Sequence, residues 1–130
     1  LIELKDAYKD YKLWCLFGCG GERDKDKRPK MGKIAELLSD ALIVTSDNPR
    51  SENALDIIKD IRKGIKNNKK VKFIESRKEA ISYCLSKIKI NGEKNILLIS
   101  GKGHEDYQDI LGKRVYFSDH QQVRDFLKDV

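Results

Sequence analysis

Three short segments hold most of the residues that could do chemistry: GCGGERDKDKRP at 18–29, SDNPR at 46–50 and SGKGHE at 100–105. In the first, Gly18, Gly20 and Gly21 allow tight turning and close approach to a ligand, though they also serve as plain turn residues. Arg23 beside them carries a planar fork of donors that can grip a carboxylate or phosphate at two points, which a lysine ammonium cannot do. Lys25, Asp26 and Lys27 read as solvated surface charge. In the second segment, Asp47, Asn48, Pro49 and Arg50 combine an anionic acceptor, an amide, a rigid φ and a bidentate cation, a set suited to a zwitterion. The same four residues also make an ordinary Asp-Asn-Pro turn ahead of a helix. In the third, Glu105 can accept from an ammonium group and the glycines, Gly101 among them, can present backbone groups. A glycine-rich turn with exposed charges is the alternative, and His104 by itself is more often structural than catalytic.

Several familiar chemistries are excluded by spacing. Gly18-Cys19-Gly20 lacks the third glycine of a dinucleotide fingerprint, and Gly101-Lys102-Gly103 lacks both the GxxxxGK[ST] spacing of a phosphate loop and the hydroxyl that would ligate magnesium. Cys15, Cys19 and Cys84 have no CxxC spacing, so no zinc site is expected, and an odd number cannot all pair within one chain, which fits a reducing cytoplasm. No nucleophile is assigned.

For loops so far apart in sequence to act together, a scaffold must bring them to one place. Apolar runs rich in β-branched or aromatic residues at 13–17, 42–45, 71–74 and 96–99 read as buried strands. Helical patterns lie between and after them. Ile81, Cys84, Leu85 and Ile88 fall on one helix face, as do Val123, Phe126, Leu127 and Val130. Capping boxes at Ser76/Glu79 and Ser118/Gln121 mark two helix starts, further helices are expected over 31–38 and 53–65, and Pro29 is expected to open the former. Segments 107–111 and 114–117 flank Gly112 as a short hairpin that adds at least one antiparallel strand. The expected fold class is α/β: a Rossmann-like three-layer sandwich with a mainly parallel sheet and a terminal antiparallel hairpin. Each chemical segment directly follows a strand, so all three should meet at the carboxyl edge of the sheet.

Composition bounds the rest. With 130 residues, 39% hydrophobic and 37% charged, the chain has the content of one globular domain. A net charge of +6 favours anionic ligands. Only 67–72 forms a small basic cluster and no aromatic residues interleave with it, so a nucleic-acid partner is not expected. No apolar stretch reaches the ~20 residues needed to span a bilayer, and no membrane partner is expected. The start Leu1-Ile2-Glu3-Leu4-Lys5 resembles neither a signal peptide nor a native initiation, which suggests a segment of something longer.

Taken together, FGCGGERDKDKRPKMG, IVTSDNPRSE and SGKGHEDYQ resemble, in order and approximate spacing, the C-terminal domain of MurE-type Mur ligases, and the likeness runs from about Leu13 through Asp119. The resemblance implies a single amino-acid-receiving domain over 1–130 of a three-domain enzyme whose N-terminal UDP-binding and central ATPase domains are absent here. It implies a reaction in which ATP and Mg2+, bound mainly by the central domain, activate UDP-MurNAc-L-Ala-D-Glu as an acyl phosphate, which the amine of meso-diaminopimelate attacks. Carried over by motif, Asp47, Asn48, Arg50, Gly101 and Glu105 line the distal end of the amino acid and Arg23 binds another carboxylate. His104 matches the motif without an assigned role. DNPR is the segment that in this family separates diaminopimelate enzymes from lysine enzymes, so Arg50 carries the substrate expectation. Glu22 stands where many relatives have Asp, and Asp26 where glycine is common. The family's Asp-His segment that helps engage ATP should precede Leu1, so ATP binding by this chain alone is not expected. The competing readings are a noncatalytic nucleotide- or anion-binding module and a different Mur or folylpolyglutamate synthetase-like ligase.

Overall fold

The computed structural model of the chain describes residues 2–66, 68–101, 105–111 and 113–128. After a short helix α1 (Ile2–Ala7), the order is β1 (Lys12–Phe17), α2 (Lys27–Leu38), β2 (Ala41–Val44), α3 (Ala54–Arg62), β3 (Val71–Phe73), α4 (Arg77–Asn91), β4 (Asn95–Ile99), β5 (Tyr107–Ile110), β6 (Lys113–Tyr116) and α5 (Asp119–Lys128). The four apolar runs form one parallel sheet in the order β3-β2-β1-β4.

That strand order explains the layers. From β1 to β2 to β3 the chain moves steadily one way, and right-handed crossovers place α2 and α3 on the same face. Leaving β3, it must return past β2 and β1 to reach β4, and the same handedness puts α4 on the opposite face. Side chains alternate accordingly: Cys15, Phe17, Leu42 and Val44 meet Ala35 of α2 and Ile57, Ile58 and Ile61 of α3, whereas Trp14, Leu16 and Ile43 meet Ala80, Ile81 and Cys84 of α4 and Val123 of α5. Three layers result, as the sequence implied.

The helix ends follow local chemistry. Ser76 Oγ accepts from the Glu79 N–H at 3.2 Å and Ser118 Oγ from the Gln121 N–H at 3.2 Å, as the capping signatures predict. Gly92 closes α4 at φ +67°, a conformation that carries no Cβ penalty in glycine. Helix α2 differs from expectation by starting at Lys27, so Pro29 sits inside its first turn, where a missing N–H breaks no intrahelical bond. Helix α3 stops at Arg62 rather than at 65, and Gly64 follows, packed so closely on Pro29 that a Cβ would strike its carbonyl.

The antiparallel hairpin forms as expected, but among the described residues it stands apart from the parallel sheet: β5 and β6 make a two-stranded sheet of their own, and a bridge between Arg50 and Ile110 ties it to the loop after β2. On α5 the expected apolar stripe is only partly used, since Val123 packs into the core while Leu127 stays 60% exposed. Gly112 and Val130 lie outside the described residues. Among those described, no helix is long and apolar enough to cross a membrane.

Candidate functional site

The sheet reverses its winding between β1 and β4, and in open α/β sheets the crevice beyond the strand ends at such a reversal is where ligands bind. The loop after β1 carries the glycines and Arg23, the loop after β4 begins at Ser100, and the loop after β2 carries DNPR on the far side of β1. All three leave the same edge.

The glycine loop and the DNPR loop are pressed together. Gly18 and Gly21 lie so close to the backbone of Thr45 and Pro49, respectively, that a Cβ at either would collide with a carbonyl oxygen. Gly21 N–H donates to Asn48 O at 2.7 Å, and Arg50 Nη1 donates back to Gly21 O at 3.0 Å and to Asn48 O at 3.3 Å. Gly20 lies between the two candidate anion binders: a Cβ there would be 2.6 Å from Arg50 Nη1 and 3.5 Å from Cγ of Arg23. Arg50 thus reaches over Gly20, while Arg23, exposed on the same glycine loop, has only its Cγ beside that residue.

Arg50 itself has φ +54°, the left-handed region that costs an L-residue roughly 1–2 kcal/mol. The surroundings hold it there: Arg50 N–H donates to Asp109 O at 2.9 Å and Leu111 N–H donates to Arg50 O at 2.6 Å. The residue is half-buried, and among the described residues its guanidinium's partners are the two neutral carbonyls and no carboxylate. Asp47 is half-buried nearby, with Oδ2 3.4 Å from where a Cβ on Gly101 would stand, so Asp47 and Gly101 also meet. Gly101 has φ +115°, which only glycine adopts without strain.

Asn48 and Glu105 sit differently. Asn48 is 4% exposed, and its Oδ1 accepts from the Asp109 N–H at 3.0 Å, which anchors the hairpin to the loop. Gln108, buried on β5, donates to Ser46 Oγ at 2.8 Å and to Asp47 O at 2.6 Å. Glu105 accepts from the Tyr107 hydroxyl at 3.3 Å, with Arg114 stacked 4.4 Å above the Tyr107 ring; no described contact joins Glu105 to Asp47 or Arg50. Lys102, Gly103 and His104 lie outside the described residues.

Residues 1–103 match the model of the family described as "Mur ligase, glutamate ligase domain". The chain belongs to the Mur ligase family. It is 47% identical over 128 residues to the UDP-N-acetylmuramoyl-L-alanyl-D-glutamate–2,6-diaminopimelate ligase of Buchnera aphidicola subsp. Baizongia pistaciae, covering 98% of this chain and 24% of that protein. Its likeness to the Helicobacter pylori protein of the same name is 50% over 121 residues, covering 93% and 26%. A solved structure of a ligase with that name superposes with a TM-score of 0.86 at 37% identity over 98% of this chain and 26% of the other. The chain therefore spans about a quarter of the length of the relatives it matches.

Two arginines that brace the loops of the candidate site in this Mur ligase domain were not singled out from sequence. Arg28 on α2 is 1% exposed; Nη1 donates to Glu52 Oε2 at 3.1 Å and Asp60 Oδ2 at 2.9 Å, and Nη2 donates to Glu52 Oε1 at 3.0 Å and Gly20 O at 3.1 Å. Arg77, the first residue of α4, is likewise 1% exposed and pairs with Asp119. A signal was available. Arg28, Gly32 and Ala35 share one stripe of α2, and Arg77, Ile81 and Cys84 one stripe of α4, so each arginine continues an inward face. Burial favours the protonated thiol at all three cysteines, pushing Cys15 and Cys19 up to about 11 and Cys84 up to about 12.

The hydrogen bond from Arg28, followed by one from the Glu22 N–H, lowers the Glu52 carboxyl from its ordinary 4.5 to about 2. Because the folded-state value lies below the unfolded one, the stabilisation is complete above pH 4.5 and is lost as pH falls toward about 2. Glu52→Gln is therefore expected to lower the urea midpoint at pH 7, and the gap from the unsubstituted protein should close across that window. A gap independent of pH would show that the carboxylate charge is not what stabilises.

Proposed function

We propose that this chain is the amino-acid-receiving domain of an ATP-dependent ligase that adds meso-diaminopimelate to UDP-MurNAc-L-Ala-D-Glu in peptidoglycan synthesis, and that it works in the cytoplasm beside UDP-binding and ATPase domains carried elsewhere in the protein. The observation that carries this reading is Arg50: a half-buried residue at positive φ whose guanidinium engages neutral carbonyls over Gly20, with Arg23 on that glycine loop and the Asp47 carboxylate on its own. Two cations and a carboxylate match an amino acid with carboxylates and an ammonium group at its distal end. L-lysine lacks the distal carboxylate and would leave Arg50 without its anion, which disfavours it strongly.

In this reading Arg50 and Arg23 hold carboxylates, Asp47 and Glu105 accept from the distal ammonium, Gly101 leaves room for the chain, and Asn48 keeps the loop in register from beneath. Their work is orientation. Fixing the far end of the amino acid aims its reactive amine and turns a two-body encounter into a nearly intramolecular one. The phosphate-activating part of the reaction belongs, in this reading, to the domains carried elsewhere in the protein. ATP and Mg2+ are accordingly assigned to the central domain, and this chain's contribution is confined to the amino acid.

Phosphate release by the complete protein with ATP, Mg2+ and UDP-MurNAc-L-Ala-D-Glu, comparing meso-diaminopimelate with L-lysine, tests the proposal. A strong preference for meso-diaminopimelate with tripeptide product is expected. Preference for lysine would keep the ligase and discard the specificity role of Arg50, and no turnover with either would favour an anion-binding module instead.

A further inference from the structure

The loops after β2 and β4 must be held at a fixed separation if Asp47 and Gly101 are to meet the same ligand, yet no strand ladder can do this. β1 lies between β2 and β4, so those two strands do not pair, and among the described residues no backbone hydrogen bond joins the two loops. One side chain spans the gap. Arg77 Nη1 donates to Ser46 O at 3.1 Å, directly before Asp47, and Nη2 donates to Ser100 O at 3.1 Å, directly before Gly101. Asp119 grips the opposite edge of the same guanidinium, accepting from Nε and Nη2 at 2.8 Å each.

We propose that Arg77, oriented by Asp119, is a positioning residue for the amino-acid site that sets the spacing between the Asp47 and Gly101 loops. This rests on the reading of those loops as the amino-acid site. The planar fork matters because it presents donors in three directions at fixed angles, whereas an ammonium on a flexible stem offers one point. Placement fits the role. As the first residue of α4, Arg77 is carried on a helix whose apolar face is anchored against the sheet, and its side chain is 0% exposed beside an 8% exposed Asp119. Buried ion pairs are often replaceable by apolar pairs without loss of stability, so the pair is better explained by the geometry it imposes than by the stability it adds. Asp119 follows the hairpin that also docks on the DNPR loop, so the grip on Arg77 ties the C-terminal segment to both loops.

The test uses Arg77→Lys and Asp119→Asn in the complete protein, with two readouts: KM for each substrate, and hydrogen exchange at the amides of Asp47, Asn48, Arg50 and Gly101. For Arg77→Lys the KM for meso-diaminopimelate is expected to rise about 10-fold or more while the KM values for ATP and the UDP substrate stay within about 2-fold, with a smaller rise of about 3-fold for Asp119→Asn. Exchange should quicken at both loops together. A lowered thermal midpoint with unchanged KM values and unchanged exchange would reduce the pair to a structural role and overturn the proposal. If Arg77→Lys does not fold, Asp119→Asn carries the same comparison. If the unsubstituted protein does not turn over meso-diaminopimelate, the functional reading fails, and the exchange measurement still decides whether Arg77 couples the two loops.

Discussion

Arg50→Ala in the complete protein is expected to lower kcat/KM for meso-diaminopimelate by about 100- to 1000-fold, the 3–4 kcal/mol scale of removing one partner from a desolvated charge pair. Turnover of L-lysine, which has no anion to place there, should change far less, so selectivity collapses from one side. The fold should tolerate the substitution. Alanine inherits the positive φ that arginine already bears, and the lost hydrogen bonds to Gly21 O and Asn48 O are worth about 1 kcal/mol each. Arg50→Lys separates charge from shape, since it keeps a cation and loses the fork; an intermediate loss is expected. Steady-state kinetics with both amino acids gives the result, and undiminished selectivity in Arg50→Ala would move the specificity to Arg23 or to residues outside this chain.

What was legible in the sequence follows from what each signal measures. The four strands and the helix faces were readable because burial on both faces of a parallel sheet writes continuous apolar runs, and a helix packed on it writes a 3.6-residue stripe. That every chemical segment follows a strand was enough to gather three loops at one edge. Strand order was not readable, because β-runs such as 13–17 and 42–45 carry nothing that names their neighbour. The hairpin's separation from the sheet was hidden for the same reason: Gln108, Asp109 and Ile110 spend their bonding on Ser46, Asn48 and Arg50 rather than on β4, and only the folded positions reveal it.

Site residues divide along a similar line. Arg23 and Arg50 stood out because a bidentate cation beside glycine or proline is chemically conspicuous; in the fold Arg50 Nη1 reaches over Gly20 and Arg23 is exposed on the glycine loop. Asn48 was read as a ligand-facing amide, and the fold shows its Oδ1 binding the hairpin backbone. The arginines that brace the loops were passed over because charge was weighed as surface and apolar residues as core. A cation on the apolar stripe of a helix contradicts that division, and the contradiction is itself informative: the helix must bring the charge inward, and partners such as Glu52, Asp60 or Asp119 must be waiting.

Arg28→Met should be the more damaging substitution for folding, with an expected loss of about 3–5 kcal/mol at pH 7 in urea unfolding. Methionine nearly fills the volume, so the cost is electrostatic: Glu52 and Asp60, with side chains 19% and 24% exposed, would be left facing each other without their cation. The deficit should shrink as pH falls through the range from 4.5 to about 2, because the substituted protein protonates Glu52 first and escapes the repulsion while the parent loses its ion pair. Combining Arg28→Met with Glu52→Gln should recover part of the loss, since the second change removes a charge that the first left stranded. Simple additivity would mean that the pair does not interact. The consequence reaches the site, because Arg28 Nη2 holds Gly20 O and Glu52 Oε1 holds the Glu22 N–H at 2.7 Å. Those two bonds fix the glycine loop that carries Arg23 and lies under Arg50, so Arg28→Met should also raise the KM for the amino acid under conditions where the protein is still folded.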